Sequence, residues 1–208
     1  MDTSLELLAL LIALGVALSV RPWRLLQRTA LLTPLLASLT FLPLMWALPR
    51  LHAMPLQLHL SGACLLVLLL GWPLAVPVLV AVALLSGLLA PAPWEVLIAN
   101  AFWLGVLPAT LALGVGALIR RYVGTQVFVY TLGRGFLTTV ACTFAASVMA
   151  EWAGYGLPNT EADLVTIAHW LIAWGEGFAT GLLSAIFVAF RPQWLATWSD
   201  DLYLGKQP

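Results

Sequence analysis

The sequence has few charged residues and only two cysteines. Nine lysines and arginines and nine aspartates and glutamates are spread over 208 positions, so charged side chains make up 9% of the chain. A soluble domain carries roughly 25%. This scarcity excludes a water-soluble globular protein with a catalytic module. Cys64 and Cys142 lie in apolar runs without a CxxC pair, so we expect two small buried side chains rather than a disulfide framework.

Hydrophobic residues make up 62% of the chain and form runs of about 20 residues, which is the length that crosses a bilayer. The stretch 58–90 is too long for one span. Gly71-Trp72-Pro73 breaks it into a short third helix and a fourth helix. If the chain has only six spans, the short third helix is re-entrant. We therefore predict an all-α integral membrane protein of six or seven transmembrane helices, with one transmembrane domain over residues 1–208. The spans of ordinary length are predicted at 5–20, 29–48, 74–90, 94–119, 126–149 and 164–190.

The distribution of basic residues predicts the orientation. If Arg21, Arg24 and Arg28 lie in the cytoplasm, seven alternating helices place the N-terminus outside and the C-terminus in the cytoplasm. Seven of the nine basic residues then follow the positive-inside rule. Arg50 and Arg134 are the exceptions. Arg134 has two interpretations, because it can extend towards the cytoplasmic surface or bind a buried partner.

The last predicted span carries two titratable residues, His169 and Glu176. An ionisable residue inside a bilayer-length segment is costly and is by default a functional hypothesis, although Glu176 also suits a simple hydrogen bond to a neighbouring helix. Seven residues are about two helical turns, so the two side chains share a face. Glu176 lies roughly 18 Å from the outer end, so we expect it to be protonated or paired with a group such as Arg134. We predict that His169 borders the outer cavity and that Glu176 holds helices together or gates the path inward.

All three histidines map to the outer face or the outer third of the membrane in this topology. His52 and His59 flank a connecting segment that also contains Met54, and His169 begins the last motif. Imidazole nitrogen and thioether sulfur are ligands for late first-row metals, so a nickel, cobalt or copper site is chemically reasonable. In the alternative interpretation, His52 is an interfacial histidine and Met54 only packs.

Three motifs follow one another along the chain: QLHLSGA at 57–63 with LLLGWP at 68–73, ANAFWLGVLP at 99–108, and HWLI with GEG between 169 and 177. In this order they resemble the CbiM/NikM family, the substrate-binding membrane subunits of energy-coupling-factor cobalt and nickel importers. The resemblance covers about residues 55–192 and is to a short, divergent branch. The family turn reads Gly-Pro-Trp, whereas this chain has the transposed Gly71-Trp72-Pro73.

The resemblance implies a metal site residue by residue. His59 occupies the position of a metal ligand, and Asn100 matches an asparagine that helps to hold the metal loop. The family completes a planar nitrogen site with an N-terminal Met-His, whereas this chain begins Met1-Asp2. This departure puts the square-planar geometry and the choice of nickel or cobalt in doubt. We expect His52 and Met54 to substitute as auxiliary ligands, and the thioether would shift the preference towards copper(I).

A stripe of small residues, Ala9, Ala13 and Ala17, lies on the first helix, where it allows close helix approach. The resemblance implies that this stripe docks a transmembrane coupling subunit, which is driven by cytoplasmic ATPases. The chain has no P-loop and cannot hydrolyse ATP itself.

The predicted function is metal capture for an energy-coupling-factor importer in the bacterial inner membrane. Cobalt or nickel is the expected substrate, with copper possible, and there is no permanent cofactor. The alternative is a non-transporting assembly or structural subunit that has lost the site. We expect no enzymatic activity, because no paired acid/base or HExxH motif is present. The lipid bilayer is an expected partner, and a nucleic acid is not.

Overall fold

The computed structural model describes residues 3–27, 29–51, 60–155 and 162–204. In these ranges the chain is helical and has no strand, which confirms the predicted all-α membrane fold. π-Helical turns interrupt two helices, at Asn100–Val106 and at Val129–Leu137. The helices are α1 (Thr3–Ser19), α2 (Leu32–Leu51), α3 (Ala63–Leu70), α4 (Trp72–Leu89), α5 (Trp94–Tyr122), α6 (Val129–Trp152), α7 (Ala162–Phe190) and α8 (Asp200–Tyr203).

Five of the described helices, α2, α4, α5, α6 and α7, are long and apolar enough to cross a membrane. The apolar helix α1 has 17 residues, about 26 Å at 1.5 Å per residue. The eight residues of α3 extend only about 12 Å, so this helix alone does not cross a bilayer about 30 Å thick. Large apolar side chains such as Leu88 and Phe190 are about four-fifths exposed, as expected of a surface that faces lipid.

The two ends of the bundle are distinguished by contacts between distant parts of the chain. At one end, which we call the Tyr155 end, the Tyr155 hydroxyl donates to Glu6 Oε2 at 3.1 Å, beside the start of α1. At the other, the Trp198 end, the segment after α7 meets the end of α3, where the Ala196 amide donates to the Leu69 carbonyl at 2.9 Å. The structure does not assign either end to the outside, so the orientation of the termini stays a prediction.

The short helix α3 begins inside the bundle. The Trp46 indole, five residues before the end of α2, donates to the Ser61 carbonyl at 3.1 Å. Near that same end of α2, Arg50 Nη2 donates to Ser86 Oγ close to the end of α4 at 2.9 Å. Helices α2 and α4 therefore run parallel and both end at the Tyr155 end. Helix α3 runs the opposite way, from the level of Trp46 to the Trp198 end.

Gly71 provides the predicted break between the short third helix and the fourth. Its φ of 74° lies in the region that favours glycine, and its amide still donates to the Val67 carbonyl at 3.0 Å. The predicted turn was two residues too long, because Trp72 and Pro73 already belong to α4. Pro73 lies in the first turn of α4, where the missing N–H removes no helical hydrogen bond.

The ends of the six spans of ordinary length differ from the predicted ends by up to three residues. Helix α2 continues through Pro49 to Leu51 instead of ending at 48, and α5 continues through Arg120 and Arg121 to Tyr122. Proline is tolerated in membrane helices because neighbouring groups satisfy the freed backbone groups. Charged side chains at a helix end extend to the surface and do not oblige the backbone to stop.

Candidate functional site

Glu176 is buried near the middle of α7, with 2% of its surface exposed. Its Oε1 atom accepts hydrogen bonds from the backbone amides of Ser61 and Gly62, the latter at 3.2 Å. Its Oε2 atom accepts a hydrogen bond from Thr143 Oγ1 on α6 at 3.3 Å. One carboxylate therefore fastens the turn before α3 to two helices that are more than 30 residues away in the chain.

The Ser61 side chain and carbonyl are fastened as well. Ser61 Oγ donates to the Leu104 carbonyl at 2.6 Å and accepts from the Ala63 amide at 3.0 Å. The Leu104 carbonyl belongs to the π segment of α5, and the Trp46 indole that holds the Ser61 carbonyl comes from α2. The turn thus has direct hydrogen bonds to α2, α5 and α7.

Gly62 allows this turn to form. Its φ of 67° is one that residues with a side chain rarely adopt. A Cβ atom at this position would lie 2.6 Å from Leu42 Cδ2 on α2. The Ser-Gly pair therefore combines a hydrogen-bonded hydroxyl with a backbone bend that brings two amides onto one carboxylate.

The predicted pairing of Glu176 with Arg134 is wrong. Arg134 Nη1 donates to the Tyr203 hydroxyl at 2.7 Å, and its guanidinium lies over the Tyr130 ring at 5.3 Å. These partners are at the Trp198 end, so Arg134 extends along the helix to that end. Backbone amides and a threonine hydroxyl are the partners of Glu176 instead.

His169 lies on the same buried side of α7 as Glu176, as its spacing predicted. It is 5% exposed, and its Nε2 atom is 3.4 Å from Oε2 of the half-buried Glu151 on α6. That Nε2 atom makes no hydrogen bond to the part of the chain that the structure describes. Two helices thus bring an imidazole and a carboxylate together at the Tyr155 end.

A second buried carboxylate, Glu6, was not predicted to have a role. It is fully buried and accepts from Trp103 Nε1 at 2.8 Å and from the Tyr155 hydroxyl at 3.1 Å. Burial, the hydrogen bond to Glu6 and the Glu6 charge raise the pKa of Tyr155. The available signal was an acid in the first turn of an apolar helix, where a buried carboxylate needs donors from elsewhere in the fold.

The other predicted ligands are only partly described. Asn100 begins the π segment of α5 and is half-buried, and the same segment supplies Trp103 to Glu6 and the Leu104 carbonyl to Ser61. His52, Met54 and His59 lie outside the described residues. Within the described ranges, no three His, Cys, Asp or Glu side chains form a group that could hold a metal ion.

Formal charge differs between the two ends of the bundle. Among the described side chains, the Tyr155 end carries three acids and one arginine, Arg50, whereas the Trp198 end carries six arginines together with Asp200 and Asp201. The acids of the first end are Glu6, Glu95 and Glu151, and the arginines of the second are Arg21, Arg24, Arg120, Arg121, Arg134 and Arg191. The described side chains therefore make the Tyr155 end the more negative of the two.

The profile of the CbiM family, described as the cobalt uptake substrate-specific transmembrane region, matches residues 3–194. The chain belongs to the CbiM family. No curated protein and no solved structure matches it.

Membership in the CbiM family confirms the resemblance drawn from the three motifs. It makes the chain a multi-pass membrane component of cobalt or nickel uptake of the energy-coupling-factor type. The metal ion in such a system is substrate and not a resident cofactor. A transporter component is also consistent with the expectation that the chain is not an enzyme.

The alanine stripe on α1 packs inside this CbiM-type bundle. Ala17 is fully buried in the core, and Ala9 and Ala13 are half-buried. Helix α1 packs on α4, so Ala17 is unavailable to a partner subunit. Close packing of α1 accounts for Ala17, and the docking role predicted for the stripe stays a prediction. The small side chains allow this approach, while the exposed face of α1 carries larger residues such as Leu11 and Ile12.

Proposed function

We propose that this chain captures a cobalt or nickel ion as substrate for an energy-coupling-factor importer in the bacterial inner membrane. His59 is the principal ligand, and Asn100, His52 and Met54 are auxiliary. The observation that carries the proposal is the attachment of the Ser61–Gly62 turn to the buried Glu176 carboxylate. His59 precedes Ser61 by two residues, a length of chain that spans at most about 7 Å.

A fixed neighbour is useful to a metal ligand because binding energy is then not spent on ordering the loop. Glu176 is a positioning residue in this proposal and does not contact the ion. Three elements hold Ser61, so the ligand segment is attached to a rigid support at its α3 side. Supporting hydrogen bonds of this kind typically change metal affinity by about 10–100-fold.

The charge distribution supports capture at the Tyr155 end. Acids at that end attract a divalent cation, and the arginines of the Trp198 end follow the positive-inside rule if that end is cytoplasmic. In the proposed cycle, the ion binds from outside. The bundle then reorients when a coupling subunit, driven by cytoplasmic ATPases, acts on the Trp198 end.

Metal analysis of the purified chain tests this function. After loading with Co²⁺ or Ni²⁺ and removal of excess ion, we expect about one equivalent of tightly bound ion that is lost in His59→Ala, since removing a ligand removes the site. Gln57→Ala, in the same segment, is the control that should retain the ion. Less than about a tenth of an equivalent in the unmodified chain would contradict metal capture and favour the non-transporting alternative. Retention of copper alone would instead move the proposed substrate to copper.

A further inference from the structure

The pairing of His169 with Glu151 is unusual for a buried imidazole. Buried side-chain nitrogen atoms normally have a hydrogen-bond partner, yet His169 Nε2 makes none within the described residues. The nearest carboxylate oxygen, Glu151 Oε2, is 3.4 Å away. Two potential metal ligands therefore lie at ion-pair distance from each other, without a hydrogen bond of good geometry between them.

The separation of these atoms matches two corners of one coordination sphere. Metal–nitrogen and metal–oxygen bonds of about 2.0–2.2 Å place two ligands of a tetrahedral ion about 3.4 Å apart, and ligands at right angles about 3.0 Å apart. We propose that His169 Nε2 and Glu151 Oε2 form a second binding site for a divalent transition-metal ion, with tetrahedral geometry and two positions open to water. Co²⁺ and Zn²⁺ are the ions that this geometry suits.

The surroundings of the pair favour a cation that arrives from solvent. The Glu151 side chain is one-third exposed while that of His169 is 6% exposed, so the carboxylate can exchange water ligands while the imidazole stays fixed. The same end of the bundle carries Glu6, whose carboxylate is held by Tyr155, four residues after Glu151. Arg50, the arginine described at this end, donates to Ser86 on α4.

The imidazole is fixed and the carboxylate can exchange water ligands, so an ion can bind here in passing. We call the pair of His169 and Glu151 the waypoint site. An open site with two protein ligands holds an ion less tightly than a closed one, which suits an ion that must leave again. The inference that the bound ion is cargo rests on the proposed function, whereas binding by His169 and Glu151 does not.

Cobalt absorption spectroscopy on the full chain in detergent tests the site. The experiment uses a His59→Ala background, so that the proposed capture site does not contribute. We expect Co²⁺ to give the intense visible bands of tetrahedral coordination and Zn²⁺ to displace it. Adding Glu151→Gln or His169→Gln should weaken Co²⁺ binding by roughly tenfold or more, since even supporting residues change metal affinity by 10–100-fold. Glu95→Gln, an exposed acid at the same end, should leave the bands unchanged.

Each outcome decides the proposal. Absence of the bands in the His59→Ala background, or bands that survive Glu151→Gln, would overturn it. The Glu151 variant keeps the test valid if His169→Gln fails to fold, because Glu151 is partly exposed. If His59→Ala instead binds with unchanged stoichiometry and loses all binding with Glu151→Gln, the waypoint site stands and the proposed role of His59 fails.

Discussion

The two ends of the bundle use their polar groups differently. At the Trp198 end, several polar groups of the described chain are paired with one another: Thr197 Oγ1 donates to the Leu68 carbonyl at 3.0 Å, and the Tyr130 hydroxyl lies 2.8 Å from the same Oγ1. At the Tyr155 end, Glu151 and the His169 imidazole face each other without a hydrogen bond. The first arrangement stabilises a closed structure, and the second leaves ligands for an ion.

Helix α3 connects the two kinds of arrangement. Its last carbonyls accept from Ala196 and Thr197, whereas the turn at its first residue is held by Glu176. The free carbonyls that any helix leaves at its end are therefore satisfied by the segment after α7. Changing one attachment of α3 at a time therefore separates the contribution of that attachment to stability from its contribution to metal binding.

The largest expected effect comes from Glu176→Leu. This change leaves the Ser61 and Gly62 amides without their acceptor in a region without water, at a cost of about 1–3 kcal/mol each. We expect a large fall in the unfolding temperature in detergent. Glu176→Gln retains an acceptor oxygen and should lose much less. A Glu176→Leu protein that is monodisperse, equally stable and unchanged in metal uptake would show that Glu176 neither holds the helices together nor acts on the ion's path.

Ser61→Ala tests the same turn with a smaller change. It removes the hydrogen bond to the Leu104 carbonyl and the acceptor for the Ala63 amide, about 1–2 kcal/mol in free energy of unfolding. We also expect weaker Co²⁺ binding, because the turn lies beside His59. Ser19→Ala, which removes an exposed hydrogen bond to the Val16 carbonyl on α1, is the control. If Ser61→Ala and Ser19→Ala changed the Co²⁺ affinity equally, the turn before α3 would have no special role in metal binding.

Tyr203→Phe should have the smallest effect, and it should change stability but not Co²⁺ binding. It removes the hydrogen bond from Arg134 but keeps the stacked Trp198 ring, whose centroid is 4.7 Å away. The expected loss of stability is about 1 kcal/mol, measured by thermal unfolding, with no change in Co²⁺ affinity. Tyr122→Phe, at an exposed position of the same end, should change neither. A Co²⁺ affinity that falls with Tyr203→Phe would show that the two ends are coupled through α3.

The helices and the break before α4 were predictable from the sequence because they follow from apolar run length, glycine and proline. Glu176 was predictable as a buried carboxylate with a role. Its partners were not, because backbone amides carry no signature in residue identity. Arg134 was one possible partner of Glu176, and its observed partner was not predictable because Tyr203 lies beyond the last predicted span, and contacts between distant segments depend on how the chain folds back.

The alanine stripe shows a related limit. Small residues on one helix face predict a close contact, and Ala17 makes one. The spacing cannot say whether the contact is with the same chain or with a partner. Glu6 was missed for a similar reason, since the donors that satisfy it, Trp103 and Tyr155, come from α5 and from the segment after α6.

Co²⁺ affinity in Glu176→Asp, compared with Glu176→Gln, tests most directly whether the buried carboxylate positions the metal-binding segment. Aspartate keeps the carboxyl group but is one methylene shorter, so it withdraws from the Ser61 and Gly62 amides, whereas glutamine keeps the reach and replaces one carboxyl oxygen with an amide nitrogen. We expect Glu176→Asp to bind Co²⁺ about 10–100-fold more weakly than the unmodified chain and Glu176→Gln to bind nearly as well as it does. Equal affinity of the unmodified chain and Glu176→Asp would contradict a positioning role for Glu176.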